Sequence, residues 1–135
     1  MTKTELKDLT YQINGAAITV HKELGPGLLE SVYQKCMAYE LWHRGISYAL
    51  EMKLPVKYKM IELDTTLRCD LFVEDSIVVE LKACDKFHPI HTAQLLTYMK
   101  LLKAPKGILL NFNSYNLYKD GQTTLVNHHF EELEE

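Results

Sequence analysis

Three of the charged residues in the most apolar stretch of the chain stand inside its strands at spacings that could do chemistry. They are Asp70, Glu80 and Lys82, in "LRCDLFVEDSIVVELKA", residues 67–83. An unpaired charge in such surroundings is costly. The segment reads as two strands about a turn, and side chains on a strand alternate between faces. On the first strand Leu67, Cys69, Leu71 and Val73 share one face, and Arg68, Asp70 and Phe72 the other. On the second, Ile77, Val79 and Leu81 lie opposite Val78, Glu80 and Lys82. A three-residue loop of Glu74, Asp75 and Ser76 sets Val73 across from Ile77, and counting back sets Asp70 across from Glu80. Directly opposed residues point the same way, about 4.5–5.5 Å apart at Cβ, and a one-residue slip would undo the match. Two carboxylates that close repel unless a proton or a cation intervenes. A hard divalent ion with oxygen ligands resolves the conflict, and Lys82 rises beside Glu80 on the same face. A half-exposed sheet face on which Lys82 merely neutralises an acid would give the same spacing.

The elements that must hold these residues can be read from the pattern. Leu6, Leu9, Ile13, Ala16, Ala17, Val20 and Leu24 recur at helical spacing behind a Thr2/Glu5 capping box, and Gly25-Pro26 ends the helix. A second helix is expected from Gly27 or Leu28 to Arg44, with Val32, Cys36, Met37 and Leu41 as its apolar stripe. "ISYALEMKL" and "PVKYKMIEL" read as strands, limited by Pro55. "HPIHTAQLLTYMKLLKA" returns to helical spacing through Ile90, Ala93, Leu96, Met99 and Leu102. "KGILLNFN" reads as a buried strand, "YNLYKDGQTTLV" as a hairpin turning at Asp120-Gly121, and "EELEE" as a frayed tail. The order predicts one domain over residues 1–135, of α+β or mixed-sheet α/β class.

Composition narrows the function. The chain has 135 residues, 47% apolar and 24% charged, with no low-complexity run. A net charge of −3 argues against electrostatic coating of nucleic acid, though not against an enzyme that grips a few phosphates. Cys36, Cys69 and Cys84 are odd in number and lack CxxC spacing, so neither a disulfide framework nor a zinc site is expected. "MTKTELKDLT" has no apolar signal core and no stretch is long enough to span a membrane, so a cytoplasmic protein without membrane contact is expected.

Asp70, a nine-residue gap and then Glu80-Leu81-Lys82 resembles the signature of the PD-(D/E)XK nuclease superfamily. "GPGLLESVY", with Gly27, Glu30 and Tyr33, resembles the segment that names the GxxExxY protein family; "VELKA", "HTAQLLTYMK" and "GILLNFN" resemble its other blocks in the same order. The resemblance implies a restriction-endonuclease-like core, a central mixed sheet flanked by helices. It implies Asp70 and Glu80 as metal-binding acids, Lys82 as the motif lysine, and Glu30 as the acid supplied by an early helix. Gln94 matches a glutamine found on the following helix in a subset of nucleases. Tyr98 lies one turn beyond Gln94 on the same face; Tyr98 and Tyr33 are candidates for positioning the substrate, Tyr33 as a cleft wall or core residue. The expected activity is hydrolysis of phosphodiesters, with DNA as the expected substrate. Mg²⁺ or Mn²⁺ would be held by Asp70, Glu80, the Leu81 carbonyl and Glu30. The alternative is the same fold with a dead site, binding nucleic acid or a protein partner. DNA versus RNA, endo- versus exo-action and the formation of a homo-oligomer stay open.

Overall fold

In the computed structural model, which describes residues 1–135, the chain begins with helix α1, Lys3–Leu24. The capping box forms: Thr2 Oγ1 accepts from the Glu5 N–H at 3.1 Å, and Glu5 Oε1 accepts from the Thr2 N–H at 3.0 Å. Leu6, Leu9, Ile13, Ala16, Ala17 and Val20 make its buried stripe. Gly25 and Gly27 take φ of 67° and 104°, a region where a side chain would be strained. They turn the chain into α2, Glu30–His43, which starts two or three residues later than its sequence suggests. Its buried residues are Tyr33, Met37, Ala38 and Leu41, so the stripe runs one position beyond Val32 and Cys36.

Five strands form a mixed sheet in the order β1-β4-β5-β6-β7: β1 Tyr48–Lys53, β4 Arg68–Val73, β5 Ile77–Lys82, β6 Lys106–Asn111 and β7 Gln122–Val126. Only β5 and β6 run parallel. Their crossover is helix α3, Pro89–Leu102, as parallel strands require a long connection. "PVKYKMIEL" does not extend the sheet. It folds on itself as a separate hairpin, β2 Val56–Tyr58 with β3 Ile61–Leu63. Residues 117–120 form a helical turn, α4 Leu117–Asp120, in place of the expected tight hairpin, and β7 follows it. After a last turn, α5 His128–Glu131, the acidic tail is tied down: Lys3 and Thr4 N–H groups donate to the Glu134 and Glu135 carbonyls. No helix is long and apolar enough to cross a membrane.

Each face of the sheet has its own apolar core. On one, α1 and α2 pack on Leu71, Val73, Ile77, Val79, Leu81, Ile108 and Leu110. On the other, α3 packs on Cys69, Phe72, Val78 and Leu109 through Leu95, Tyr98 and Met99. Ile90 and Leu96, expected inside, are 68% and 40% exposed. Apolar residues occur all round α3, and the sheet takes the face carrying Leu95, Tyr98 and Met99. A Cβ on Gly107 would come within 2.6 Å of Met99 Sδ and 2.9 Å of Leu95 Cδ1, so this glycine sets how near α3 lies to β6. The helices thus flank a central mixed sheet, with β5 at its middle.

Candidate active site

Strands β4 and β5 are antiparallel and joined by Glu74, Asp75 and Ser76, with Val73 across from Ile77. Glu74 and Asp75 both have positive φ, and Ser76 N–H closes the turn on the Val73 carbonyl at 2.9 Å. Backbone pairing between the strands stops at Leu71 and Val79. Beyond it the acids replace the ladder. The Asp70 N–H donates to Glu80 Oε2 at 2.7 Å, and the Leu81 N–H donates to Asp70 Oδ2 at 2.8 Å. Each carboxylate therefore bridges to the opposite backbone and keeps one oxygen, Asp70 Oδ1 or Glu80 Oε1, without a hydrogen bond. Neither free oxygen is sealed from solvent; the one fully buried unpaired polar atom of the chain is Asn14 Oδ1. A residue's N–H and C=O leave a strand on the same side, so the Leu81 carbonyl faces this gap as well.

The neighbouring strand bends at the same level. Glu51 in β1 has φ of 53°, and the β1–β4 ladder omits the Glu51/Asp70 pair. Side-chain alternation breaks there: Leu71 joins the α1/α2 core, whereas Cys69 joins the α3 core with Phe72. Cys69 thus lies on the opposite face from Leu71 and Val73, against the simple alternation. Non-glycine residues with φ > 0 in strand interiors are held by their surroundings and cluster at functional sites. Here Gln34 of α2 supplies the hold, its Nε2 donating to the Asp70 carbonyl at 2.9 Å and to Glu51 Oε1 at 3.0 Å.

Glu80 is 5% exposed. Burial first, and the Asp70 charge second, push its carboxyl up to about 8 from 4.5. Burial likewise raises Asp70, opposed by the Leu81 N–H and by Lys82, and reinforced by Glu30 and Glu51. Four carboxyl groups thus bear on one gap whose nearby cation is Lys82, and Lys82 makes no ion pair within 4.0 Å. This set of hard oxygen donors fits a divalent cation. Still, no three Asp, Glu, His or Cys side chains converge closely enough to form a ready metal site. Glu30, in the first turn of α2, is exposed and makes no hydrogen bond; it acts on the gap through its charge.

On α3, Gln94 Nε2 donates to the Tyr98 hydroxyl at 3.0 Å, and that hydroxyl is raised by burial and by the Glu80 charge. Neither makes a hydrogen bond to an acid. Tyr33 does not line a cleft: it is fully buried, stacked on Phe112 at 4.4 Å. Its hydroxyl donates to the Gly25 carbonyl at 2.6 Å and accepts from the Leu28 N–H at 3.1 Å. A substrate-positioning role for Tyr33 is thereby corrected to a clamp on the "GPG" turn. His88 and His91 start α3, the His88 N–H donating to His91 Nδ1 at 3.2 Å.

Gln34, Glu51 and Asn111 complete the surroundings, and none is marked by the motif. Gln34 lies four residues beyond Glu30, so helical spacing could have placed it near the site. Asn111 fastens the chain leaving Lys82: Oδ1 accepts from the Cys84 N–H at 3.1 Å and Nδ2 donates to the Cys84 carbonyl at 2.8 Å. No sequence signal points to Glu51, because its place beside Asp70 depends on a non-local pairing.

A family model of the PD-(D/E)XK nuclease superfamily matches residues 7–124. The chain belongs to the PD-(D/E)XK nuclease superfamily. Its mixed sheet flanked by helices agrees with the restriction-endonuclease-like architecture. Members of this superfamily are nucleases that typically use divalent metal ions, which points to nucleic acid as the substrate class. Neither the curated proteins nor the solved structures yielded a match; the finer GxxExxY assignment stays a resemblance.

Proposed function

We propose that this protein is a divalent-metal-dependent nuclease that hydrolyses phosphodiesters in DNA, acting in the cytoplasm as a single nuclease domain. The observation that carries the reading is the exchange of carboxylate-to-backbone bonds where the β4–β5 ladder stops, which leaves Asp70 Oδ1 and Glu80 Oε1 free beside Lys82. Mg²⁺ or Mn²⁺ would be held by those oxygens and the Leu81 carbonyl, with Glu30 contributing from the mouth of the gap. Such an ion supplies polarisation of a phosphodiester and activation of a water. Asp70 and Glu80 keep their positions through the opposed N–H groups, so these two donors are held in place before an ion arrives. Lys82, free of any carboxylate partner, can steady negative charge that develops on the phosphate or orient the attacking water. Gln34 fixes the backbone of Asp70, and the Gln94–Tyr98 pair borders the acids on the α3 side.

A second reading, an inactive nuclease-fold module that binds nucleic acid or a protein, draws support from the lack of three converged ligand side chains. Titration of the purified protein with Mn²⁺ separates the two, run beside cleavage of labelled linear, circular, single-stranded and branched DNA and RNA with Mn²⁺ or EDTA. A nuclease takes up the ion through Glu80 and cuts at least one substrate only when the ion is present. Unchanged Mn²⁺ uptake by Glu80→Gln, with no substrate cut, would leave the inactive module.

A further inference from the structure

The β2–β3 hairpin emerges at the lip of the candidate site. Its two legs leave the sheet at the Lys53/Arg68 pair, two positions beyond Glu51 and Asp70. Leu54 roots it: that side chain is fully buried in the α3-side core, and its N–H donates to the Leu67 carbonyl at 3.0 Å. The strands pair Val56 with Leu63 and Tyr58 with Ile61. Opposed residues and residues two apart share a face, so Val56, Tyr58, Ile61 and Leu63 form one wholly apolar face. Lys57 and Glu62 take the other face and pair at 3.9 Å.

Val56 at the root is half-buried, but Tyr58, Ile61 and Leu63 of this apolar face stand exposed. Tyr58 is 59% exposed, and Met60 at the tip is 96% exposed. Burial for folding therefore does not explain them. The charge of the hairpin runs against that of the whole chain: Lys53, Lys57, Lys59 and Arg68 stand against Glu62 and Asp64, in a protein of net charge −3. Both acids are already engaged, Asp64 by Lys53 at 2.9 Å and Glu62 by Lys57. Lys59 and Arg68 make no ion pair, and the Lys59 ammonium rests 5.4 Å from the centre of the Tyr58 ring. Lys59 also holds a φ of 53° at the turn, which a lysine adopts at some strain. At the root, a hollow of about 470 Å³ opens between Lys53, Pro55, Val56, Lys57 and Leu63.

An apolar face with spare cations at its tip and root, set beside carboxylates awaiting a phosphodiester, suits a strand whose bases are accessible. Aromatic and apolar side chains take up bases by stacking or by wedging between steps, and lysine and arginine meet the phosphates. We propose that the β2–β3 hairpin is a base-engaging wedge: Tyr58, Met60 and Ile61 accept unstacked bases while Lys59 and Arg68 hold the backbone. The substrate class is then nucleic acid with unpaired bases, such as a single strand, a flap or a fork, in preference to intact duplex. This inference rests on reading the adjacent acids as a nuclease site.

The test is binding of the metal-free protein to a forked DNA carrying 2-aminopurine at the fork, with an intact duplex of the same sequence as comparison. Wild type should bind the fork more tightly and raise the fluorescence of the reporter as its base is unstacked. Tyr58→Ala with Ile61→Ala should weaken binding to the fork about tenfold or more and lose the fluorescence rise, since base–aromatic stacking is worth that much. Met60→Ala, at an almost fully exposed position, gives a second variant that leaves folding untouched. Equal affinity and equal fluorescence for variants and wild type would overturn the wedge. So would a wild-type dimer that these substitutions dissociate in sedimentation, because the face would then be an interface between copies. Failure of wild type to bind any nucleic acid would overturn both readings. Hairpin-dependent unstacking with no cleavage in Mn²⁺ would sink the nuclease reading alone and leave the wedge standing.

Discussion

Glu80 keeps a carboxyl where only a proton, a lysine nearby or a bound cation can make it comfortable. Its folded pKa of about 8 lies above the ordinary 4.5, so the folded chain holds a proton that the unfolded chain releases. Without metal, the resulting stability is complete below pH 4.5 and is lost as the pH rises to about 8, with a span of a few kcal/mol. Urea unfolding in EDTA at pH 5, 6.5 and 8.5 should show this fall, and Glu80→Gln should flatten it. A wild-type curve that rises across the same range would contradict the burial assigned to Glu80. Lys82→Met should leave Mn²⁺ uptake near the wild-type level while cutting cleavage by ~10²-fold or more, because its charge matters chiefly in the transition state. If that variant instead unfolds readily and Glu80→Gln binds Mn²⁺ as before, Lys82 is a structural counter-ion. Much of this pairing could be read from the sequence, since a three-residue turn fixes the parity of β4 and β5 locally. The place of Cys69 could not, because the break in alternation at Asp70 is imposed by β1, a strand distant in sequence.

At the level of elements, helix ends and turns are what bring Glu30 toward the acids. Tyr33 fastens the "GPG" turn through two hydrogen bonds to backbone. Tyr33→Phe keeps the stack on Phe112 but removes the partner of the half-buried Gly25 carbonyl and of the Leu28 N–H, so a loss of about 0.5–1.5 kcal/mol is expected in denaturant unfolding. A change smaller than a few tenths of a kcal/mol would mean the turn is held without it. Gly107 is a stricter constraint. Gly107→Ala drives a methyl into Met99 and Leu95 and should cost about 1–3 kcal/mol by overpacking. Neutral behaviour would show that α3 can back away from β6. Helix α1 was legible from its capping box and regular stripe. The inward face of α3 was not, because Ile90 and Leu96 compete in hydropathy with Leu95 and Met99, and only the sheet decides between them.

Seen whole, the molecule places its acids at the boundary between two separate cores, one shared with α1 and α2 and one with α3. An ion bound there by the folded state alone must raise stability by mass action, about 2.7 kcal/mol at a hundredfold excess over its Kd. Mn²⁺ should therefore raise the melting temperature of wild type and leave that of Glu80→Gln nearly unchanged; an equal rise in both would place the ion elsewhere. The mixed class of the sheet was foreseeable from the order of helices and strands. The independence of the β2–β3 hairpin was not, because its strands carry the same β-forming residues as those of the main sheet.

The bonds from the Asp70 and Leu81 amides to the two carboxylates make the site its own reporter. Each amide proton senses whether its acceptor is charged, protonated or drawn toward a cation, so two resonances in a nitrogen-15 correlation spectrum would follow occupancy directly. An inhibitor, a nucleic acid or a metal could be watched arriving at the gap in a protein that never turns over.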